Sequence, residues 1–317
     1  CAPAEAGTDD GGREEGSGAA TSTDPQERSP DDIQYPIEGY QDMLALFDSL
    51  GYTPEAWQAG IREVPRVYLT GIGDRWRTQT VSEITVELKK RLFFRGLAPL
   101  VLRSNELVLQ DRERLARGRE VMAGGELSAQ EGAWLTRLAE RYGVGDGTGA
   151  APAPEALEEL WLRVDVIPPL LALAQGAEES GWGTSRFAGE GNALFGQWTW
   201  GEHAMRPESQ REGMGDYGVA AFETPLESVL AYVHNLNTHA AYEELRGIRA
   251  RAREAGVEPT GWDMAAGLSR YSERGEDYVG SLRTIMRVNQ LGPADDAYLG
   301  PRPAILLVAV PDSLQGG

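Results

Sequence analysis

The segment "AEESGWGTSRFAGEGNALFGQWTW", residues 177–200, is the most informative part of the sequence. It contains three of the chain's eight tryptophans and five of its 39 glycines, beside the adjacent pair Glu178 and Glu179. The residues that lead into it, "IPPLLALAQGAEES" (167–180), have the apolar spacing of a helix that starts with proline, which a first helical turn tolerates. The final "FGQWTW" alternates with a period of two, as a β-strand does. This order of helix, glycine-rich turn and strand predicts two carboxyl groups close to aromatic rings.

The two adjacent carboxyl groups are not equivalent. Glu178 and Glu179 lie about 100° apart on their helix, so they cannot both face one cleft. Glu179 shares its face with Ala172, Gln175 and Gly176, whose small or hydrogen-bonding side chains would let a sugar chain approach closely. Apolar and aromatic neighbours raise the pKa of a carboxyl and keep it protonated near neutral pH, as a general acid requires. We therefore predict that Glu179 is the working acid; the alternative is two solvated glutamates at a helix end.

Outside this stretch the chain predicts a mainly helical protein. Helical spacing also covers 37–52, 82–117, 127–145, 155–164, a helix that starts at Thr224, 261–271 and 276–291. "YGVAAF" (217–222) is a return strand for "FGQWTW", which predicts a small β-hairpin lobe. The polar stretch "GVGDGTGAAPAP" (143–154) marks an internal boundary. The predicted segments are a disordered acidic lipoprotein linker (1–35), a helical N-terminal region (36–150), a main domain (151–292) and a C-terminal extension (293–317).

Composition and the first residue bear on partners and location. The formal net charge is −19 and no basic stripe with interleaved aromatics is visible, which argues against nucleic-acid binding. Residues 2–32 contain no large apolar residue, so we expect disorder there. Cys1, the single cysteine, is interpreted as the lipidated residue of a bacterial lipoprotein, with an arbitrary sequence start as the alternative. Ala2 then favours the outer membrane, with the body of the protein in the periplasm. "AILLVAV" (304–310) is far shorter than the roughly 18 apolar residues of a membrane helix.

Several separated motifs carry a resemblance to a known family. "AQGAEESGWGTSRFA" followed by "NALFGQWTW" resembles the glucosaminidase domain of glycoside hydrolase family 73, and most closely its Bax-like branch. That branch is similar also in the four segments "VPRVYLTGI", "KKRLFFRGLAPLVLRSNELVLQDRERL", "SVLAYVHNLNTHAAYEELR" and "LSRYSERGEDYVGSLRTIM". The resemblance covers about residues 62–290. It implies a mainly α, lysozyme-like α+β fold: a helical bundle with a small β-hairpin lobe beside the cleft, preceded by a helical N-terminal region.

The resemblance also implies site residues. The catalytic Glu of the family's E-S-x-x-G motif corresponds to Glu179, in agreement with the argument from the helix face. Ala193 stands where the family often has Asn, so Asn192 is the candidate for that polar contact. Core packing is the alternative for Phe195, and Tyr278 is assigned to packing. The predicted substrate-binding residues are Gln175, Trp182, Asn192, Phe195, Trp198 and Tyr271.

The second catalytic group is the least determined part of the predicted site. Two-carboxylate hydrolysis needs a nucleophile or a base in addition to the acid. The resemblance places that group in the hairpin lobe, where the candidates are Glu202, Glu208, Glu212 and Asp216. We choose Glu212, whose basic and glycine-flanked loop fits the family pattern best. The alternative is that the N-acetyl group of the substrate supplies the nucleophile.

Other chemistries do not fit the sequence. His234 and His239 are five residues apart and no H-E-x-x-H motif is present, so we expect no metal and no cofactor. The function predicted is an endo-β-N-acetylglucosaminidase that cleaves β-1,4 bonds next to N-acetylglucosamine in the glycan strands of peptidoglycan, as a monomer. The alternatives are a non-catalytic peptidoglycan-binding or scaffolding lipoprotein, and an endoglycosidase for other glycans that contain N-acetylglucosamine.

Overall fold

The computed structural model describes residues 31–310 except 74, 78–80, 146, 150, 200–203 and 207–216. Its α-helices are α1 (Tyr40–Ser49), α2 (Pro54–Gln58), α3 (Val81–Glu83), α4 (Val86–Gly124), α5 (Ala129–Arg141), α6 (Pro154–Arg163), α7 (Pro169–Ser180), α8 (Arg186–Gly191), α9 (Pro225–Thr238), α10 (Glu243–Glu254), α11 (Gly261–Met264) and α12 (Glu276–Val288). Its strands are β1 (Ile33–Ile37), β2 (Glu63–Val64), β3 (Val67–Leu69), β4 (Trp198–Thr199), β5 (Gly218–Val219), β6 (Tyr298–Leu299) and β7 (Ile305–Ala309). The mainly α fold class predicted from the sequence is confirmed.

Helix α7 runs through the middle of the core. Every residue from Pro169 to Ala177 is buried, because the helix packs against α4, α11 and α12. A Cβ atom at Gly176 would lie 2.6 Å from Leu97 Cδ2, so a glycine there lets α7 and α4 approach closely. One buried apolar cluster extends from Tyr68 to Ala294. The N-terminal region and the predicted main domain therefore share a core, and the domain boundaries drawn from the sequence stay predictions.

The two ends of α7 are held by different residues. Pro168 at its start provides no side-chain cap; instead Asp295 accepts hydrogen bonds from the Leu170 N–H (2.8 Å) and the Gly261 N–H (2.7 Å). Burial raises the pKa of the Asp295 carboxyl to about 6, although both hydrogen bonds act in the opposite direction. At its end, Gly181 takes the left-handed conformation with φ +57°, which favours glycine. The last helical turn, with Glu178 and Glu179, therefore has a defined stop.

A parallel three-stranded sheet joins the two ends of the described chain, and the sequence did not predict it. Strand β7 lies between β1 and β3, with Leu307 paired to Tyr35 on one side and Leu69 on the other. Leu307 is 1% exposed, because its side chain packs into a buried apolar cluster that includes Phe47 and Leu92. The N-terminal region is thus not purely helical, and β1 begins inside the predicted 1–35 linker. Strands this short show little periodicity, and their partner lies at the other end of the chain.

Helix boundaries also differ from the predicted ones. The helix expected over 82–117 is α4, which starts after Thr85, whose hydroxyl accepts the Leu88 N–H at 3.2 Å. It continues through Pro99, which is buried inside it. Strands β4 and β5 pair antiparallel, with Trp198 opposite Val219, as the hairpin prediction requires; the rest of that lobe lies largely outside the described residues. Within the described part of the chain, no helix combines the length and apolar character needed to cross a membrane.

Candidate active site

Glu179 occupies the last turn of α7 and is the first candidate for chemistry. It is half-buried, whereas nearly all of the helix before it is fully buried. The Tyr278 hydroxyl of α12 donates a hydrogen bond to its carboxylate. A Cβ atom at Gly196, a residue with φ +56°, would lie 3.6 Å from Glu179 Oε2. Protein atoms therefore enclose one side of the carboxyl group. On the other side Gly196 approaches the carboxyl, and it has no side chain to crowd it.

The surroundings of Glu179 favour its protonated form. Burial raises the pKa of the Glu179 carboxyl above its ordinary value, and the negative charge of Glu178 acts in the same direction. The hydrogen bond from Tyr278 and the positive charge of Arg274 oppose this shift without cancelling it. A carboxyl group with a raised pKa keeps its proton closer to neutral pH. Glu179 thus has the property that a general acid needs.

Glu178 has its own set of partners. Its Oε1 atom accepts hydrogen bonds from Arg274 Nη1 at 2.7 Å and from the Ser281 hydroxyl at 3.0 Å. The two adjacent glutamates therefore diverge as their 100° separation on the helix predicts, one towards an arginine and the other towards a tyrosine.

A directed chain of hydrogen bonds lies behind Glu179. The Tyr232 hydroxyl donates to Gln175 Oε1 at 2.6 Å, and Gln175 Nε2 donates to the Tyr278 oxygen at 3.0 Å. Because the Tyr278 oxygen already accepts from Gln175, its single proton is left for Glu179. Tyr232, Gln175 and Tyr278 are all almost completely buried. The chain fixes the orientation of the Tyr278 hydroxyl and, through it, the position of the carboxyl group.

Comparisons with known proteins show the family of the chain. Residues 154–291 match the glucosaminidase family model described as mannosyl-glycoprotein endo-beta-N-acetylglucosaminidase. The chain is also 34% identical over 204 residues to "Protein bax" of Escherichia coli (strain K12), covering 64% of this chain and 70% of that protein. The chain belongs to the Bax-like glucosaminidase family. It is a glycoside hydrolase that acts on glycans containing N-acetylglucosamine. No solved structure matches it.

Three of the predicted substrate-binding residues of this glucosaminidase lie in its core. Gln175, Phe195 and Tyr271 are each 0% exposed. The Phe195 ring stacks on Tyr232 at 3.8 Å between centroids, and the Tyr271 hydroxyl donates to the Phe195 carbonyl at 3.0 Å. Tyr271 also stacks on Tyr278 at 5.4 Å. In this structure Gln175 and Tyr271 contact Tyr278, the tyrosine beside Glu179, and Tyr271 also holds the backbone at Phe195. Direct contact of the three residues with sugar stays a prediction.

Two predicted residues present rings that are only half-buried. Trp182 lies against the edges of Phe93 and Phe94, with ring centroids 5.9 Å and 5.2 Å away. Trp198, in β4, stacks on Tyr217 at 4.5 Å. Flat rings with an accessible face suit the apolar faces of sugars, so the glucosaminidase has two rings that fit the predicted role.

Asn192 has a structural role in the glucosaminidase. Its Oδ1 atom accepts the Ile72 N–H at 2.9 Å, and its Nδ2 donates to the carbonyls of Phe222 and Glu223, both at 3.0 Å. It also takes the left-handed conformation, with φ +52°, that ends α8. These hydrogen bonds join three separate segments. They use both the oxygen and the nitrogen of the Asn192 amide, which the sequence predicts to contact substrate.

Some predicted residues lie outside the described part of the chain. They are Glu212, the other three lobe candidates Glu202, Glu208 and Asp216, and Cys1. Among the described residues, no group of three or more His, Cys, Asp or Glu is placed to hold a metal ion. Among the described residues, the candidate site of the glucosaminidase thus consists of Glu179, Tyr278, Trp182 and Trp198.

The role of Tyr278 is not apparent from the sequence, which predicts only packing for it. The ring is buried as packing requires, yet its hydroxyl reaches Glu179. Its contact with Gln175 spans 103 residues of sequence. The only signal in the sequence was that Gln175 shares a helix face with Glu179, which pointed to the right face but not to its partner on α12.

Proposed function

We propose that this glucosaminidase hydrolyses peptidoglycan at β-1,4 bonds next to N-acetylglucosamine, with Glu179 as the general acid. The observation that supports this most is the environment of Glu179, a half-buried carboxyl with a raised pKa that receives a hydrogen bond from Tyr278. It lies within the segment that matches the glucosaminidase family. The substrate in this proposal is found outside the cytoplasmic membrane, so we place the enzyme in the periplasm, acting as a monomer on glycan strands.

The proposed reaction begins with proton transfer from Glu179 to the glycosidic oxygen. The bond between that oxygen and the anomeric carbon then breaks, and positive charge develops on the sugar ring. Glu179 is left as a carboxylate, which the Tyr278 hydroxyl stabilises by its hydrogen bond. A second group must then attack the anomeric carbon or activate water for that attack. Glu212 is the proposed second group, with the acetamido oxygen of the substrate as the alternative.

The first experiment digests purified sacculi and identifies the released fragments by mass spectrometry. Fragments with N-acetylglucosamine at the reducing end are expected from the wild type. Glu179→Gln removes the transferable proton and is expected to lower the rate by a factor of about 10² to 10⁴. Glu178→Gln is the matched control, because it changes the adjacent carboxyl in the same way and is expected to keep most of the activity. Full activity of Glu179→Gln would show that the acid is another residue.

A second substrate separates peptidoglycan from other glycans. The matching family model is named for endoglycosidases of mannosyl-glycoproteins. A glycoprotein with high-mannose N-glycans is therefore incubated with the enzyme beside the sacculi. Release of N-glycans without any sacculus fragments would overturn the peptidoglycan proposal and leave the glycosidase activity in place.

The second catalytic group has its own test. Glu212→Ala is expected to abolish turnover of sacculi if Glu212 acts as nucleophile or base, and added azide, which fits the space left by the side chain, should then restore cleavage by attacking the anomeric carbon. Asp216→Asn, a nearby carboxyl in the same segment, serves as the control and should retain activity. Wild-type rates for the Glu212 variant would leave the other lobe candidates, and wild-type rates also for Glu202→Gln, Glu208→Gln and Asp216→Asn would favour attack by the acetamido group of the substrate.

A further inference from the structure

A recess of about 550 Å³ lies where the N-terminal region meets the glucosaminidase domain. Its walls come from α2, α4, the start of α7 and the segment 289–297 that follows α12. Ligand sites in proteins commonly have volumes of about 300–1,000 Å³. The recess does not include Glu179, and nothing in the glycosidase reaction as described uses it.

The charge of this recess is opposite to that of the chain. Among the residues that the structure describes, its lining contains Arg62, Arg91 and Arg95 and no Asp or Glu. The whole chain has 49 acidic against 30 basic residues, for a net charge of −19. A concave site lined by one sign of charge concentrates ligands of the other sign. The recess therefore favours an anion, although the protein as a whole repels one.

Two of the arginines are held in place by aromatic rings. The Arg62 guanidinium lies 4.5 Å from the centre of the Trp57 ring and donates to the Trp57 carbonyl at 2.7 Å. The Arg95 guanidinium lies 4.5 Å from the Phe47 ring and 5.1 Å from the Tyr52 ring. A stacked guanidinium keeps its in-plane N–H groups for an acceptor. Such an arrangement is suited to binding an oxyanion.

The positive charge of Arg95 is only partly compensated by the protein. Its side chain is 12% exposed, and its nearest carboxylate, Asp48, is 3.6 Å away and largely exposed. Its Nε and Nη2 atoms are buried without a hydrogen-bond partner. Glu55 is a second acidic neighbour, since Arg91 and Arg95 help to lower the pKa of its carboxyl, after the larger effects of its hydrogen bonds to its own backbone and to Thr53. Because these two atoms are closed to the surface, Arg95 acts on a ligand in the recess through its charge, and an incompletely compensated charge favours an anion nearby.

Aromatic rings connect the recess with the segment that follows Glu179. Phe94 lines the recess, and its ring also contacts Trp182, which follows Glu179 by three residues. Lys90 lies over the same Trp182 ring at 5.0 Å. Leu173 lines the recess six residues before Glu179, about 9 Å along the helix axis at 1.5 Å per residue, and on a different face of α7. The recess thus lies beside the helix that carries Glu179, within reach of a chain that passes around it.

We propose that this recess binds the carboxylates of an acidic peptide attached to the glycan, as the stem peptides of peptidoglycan are. This inference rests on the proposed peptidoglycan substrate. An extended tetrapeptide spans about 13–14 Å, which exceeds the 9 Å between Leu173 and Glu179 along α7. The arginine forks match carboxylates, and the rings of Trp57 and Phe94 offer contact to the aliphatic parts of the peptide. A recess is less suited to a flat bilayer, whose lipid phosphates are the competing source of oxyanions.

The test compares peptide-bearing sacculi with glycan strands from which an N-acetylmuramoyl-L-alanine amidase has removed the peptides. The wild type is expected to have a lower KM for the peptide-bearing strands. Arg62→Gln combined with Arg91→Gln is expected to raise that KM by about tenfold or more, the loss typical of charge-assisted hydrogen bonds. Arg137→Gln combined with Arg251→Gln removes the same charge from exposed faces of α5 and α10, and should leave KM unchanged. Thermal unfolding of each variant shows whether it is folded, and Arg91→Gln alone, at an exposed position, should show part of the effect.

Direct binding completes the test. The free stem tetrapeptide is titrated into the full-length protein by calorimetry, in parallel with vesicles containing anionic phosphatidylglycerol. Binding of the tetrapeptide that is lost in the Arg62/Arg91 variant supports the proposal. Equal KM values for both strands, or arginine-dependent binding of vesicles without binding of the peptide, would overturn it. If the enzyme cut neither substrate, the peptidoglycan function would fail, while the titration would still decide what the recess binds.

Discussion

The proton on Glu179 is controlled by the residues around it. Burial is the main cause of its raised pKa, and Tyr278 moderates that shift by donating a hydrogen bond that favours the charged form. Tyr278 is in turn oriented by Gln175, which donates to its oxygen. Both the position and the pKa of the Glu179 carboxyl thus depend on the Tyr278 hydroxyl.

Tyr278→Phe removes that hydroxyl and keeps the ring. The hydrogen bond lowers the pKa of Glu179, so its loss should raise that pKa further and move the alkaline limb of kcat/KM to higher pH. The measurement is the pH profile of sacculus digestion by wild type and variant. Val279→Ala is the control, since it removes buried side-chain atoms from the next residue of α12 without touching Glu179. A uniform loss of rate with an unmoved limb would mean that Tyr278 only packs.

The raised pKa of Glu179 also makes a prediction about stability. A carboxyl whose folded pKa exceeds its unfolded value contributes stability that is complete below the unfolded pKa and is lost as pH rises through the folded pKa. Glu179→Gln is neutral at every pH, so its Tm at pH 7 should exceed that of the wild type. The difference should shrink towards the pKa of an unfolded glutamate. Calorimetric scans between pH 4 and pH 8 measure it, and a lower Tm for the variant at pH 7 would contradict the assignment.

At the scale of elements, close contacts position α7. Helix α11 approaches the first turn of α7 so closely that a Cβ atom at Gly261 would lie 2.5 Å from the Leu171 nitrogen. Asp295 accepts hydrogen bonds from both helices at the same place. The segment predicted as a C-terminal extension therefore holds the start of α7.

Two glycine substitutions test this contact. Gly261→Ala places a methyl group against backbone atoms that cannot yield without moving α7, and overpacking of this kind costs about 1–3 kcal/mol or more. Gly280→Ala is the matched control on α12, where a Cβ atom meets no heavy atom within 4 Å. Replacing a glycine inside a helix there should stabilise the protein by about 0.5–1 kcal/mol. Urea unfolding of both variants measures the two effects, and equal stability would show that the α7–α11 contact is loose.

At the scale of the whole molecule, a buried ion cluster connects distant segments. Asp165 is 3% exposed and lies within 4 Å of three guanidinium groups, those of Arg112, Arg249 and Arg253. Arg112 belongs to α4, and the other two belong to α10. Burial raises the pKa of Asp165, but the three arginines outweigh it and hold that pKa below its ordinary value. The cluster thus stabilises the contact between the long N-terminal helix and the glucosaminidase domain.

Asp165→Asn removes the carboxylate that the three arginines share and leaves Arg249, which is 1% exposed, with neutral partners, namely Asn237 Oδ1 and backbone carbonyls. Removing one partner of a buried ion pair typically costs about 3–5 kcal/mol. Since the folded pKa of Asp165 is lowered, its contribution is present above the unfolded pKa and is lost as pH falls through the folded value. Glu258→Gln, which removes an 86% exposed partner of Arg253, should change stability little. Similar losses for both variants in denaturant unfolding would contradict this account.

The amino-acid sequence by itself determined the parts that depend on near neighbours. The helix that ends at Gly181, the divergence of Glu178 and Glu179, the helical class and the family all follow from spacing and motifs within short windows. These are decided locally because one helical turn joins residues only three or four positions apart.

Only the tertiary structure decided the parts that join distant segments. The pairing of β7 with β1 and β3, the hydrogen bond from Tyr278 to Glu179, the cluster at Asp165 and the arginine recess each unite residues from separate elements. Short strands and single polar residues show no periodicity in the sequence, and their partners are chosen by the burial of apolar surface elsewhere in the fold. The proposed acid, Glu179, is therefore visible in the sequence, whereas its contact with Tyr278 is formed only when α7 and α12 pack together.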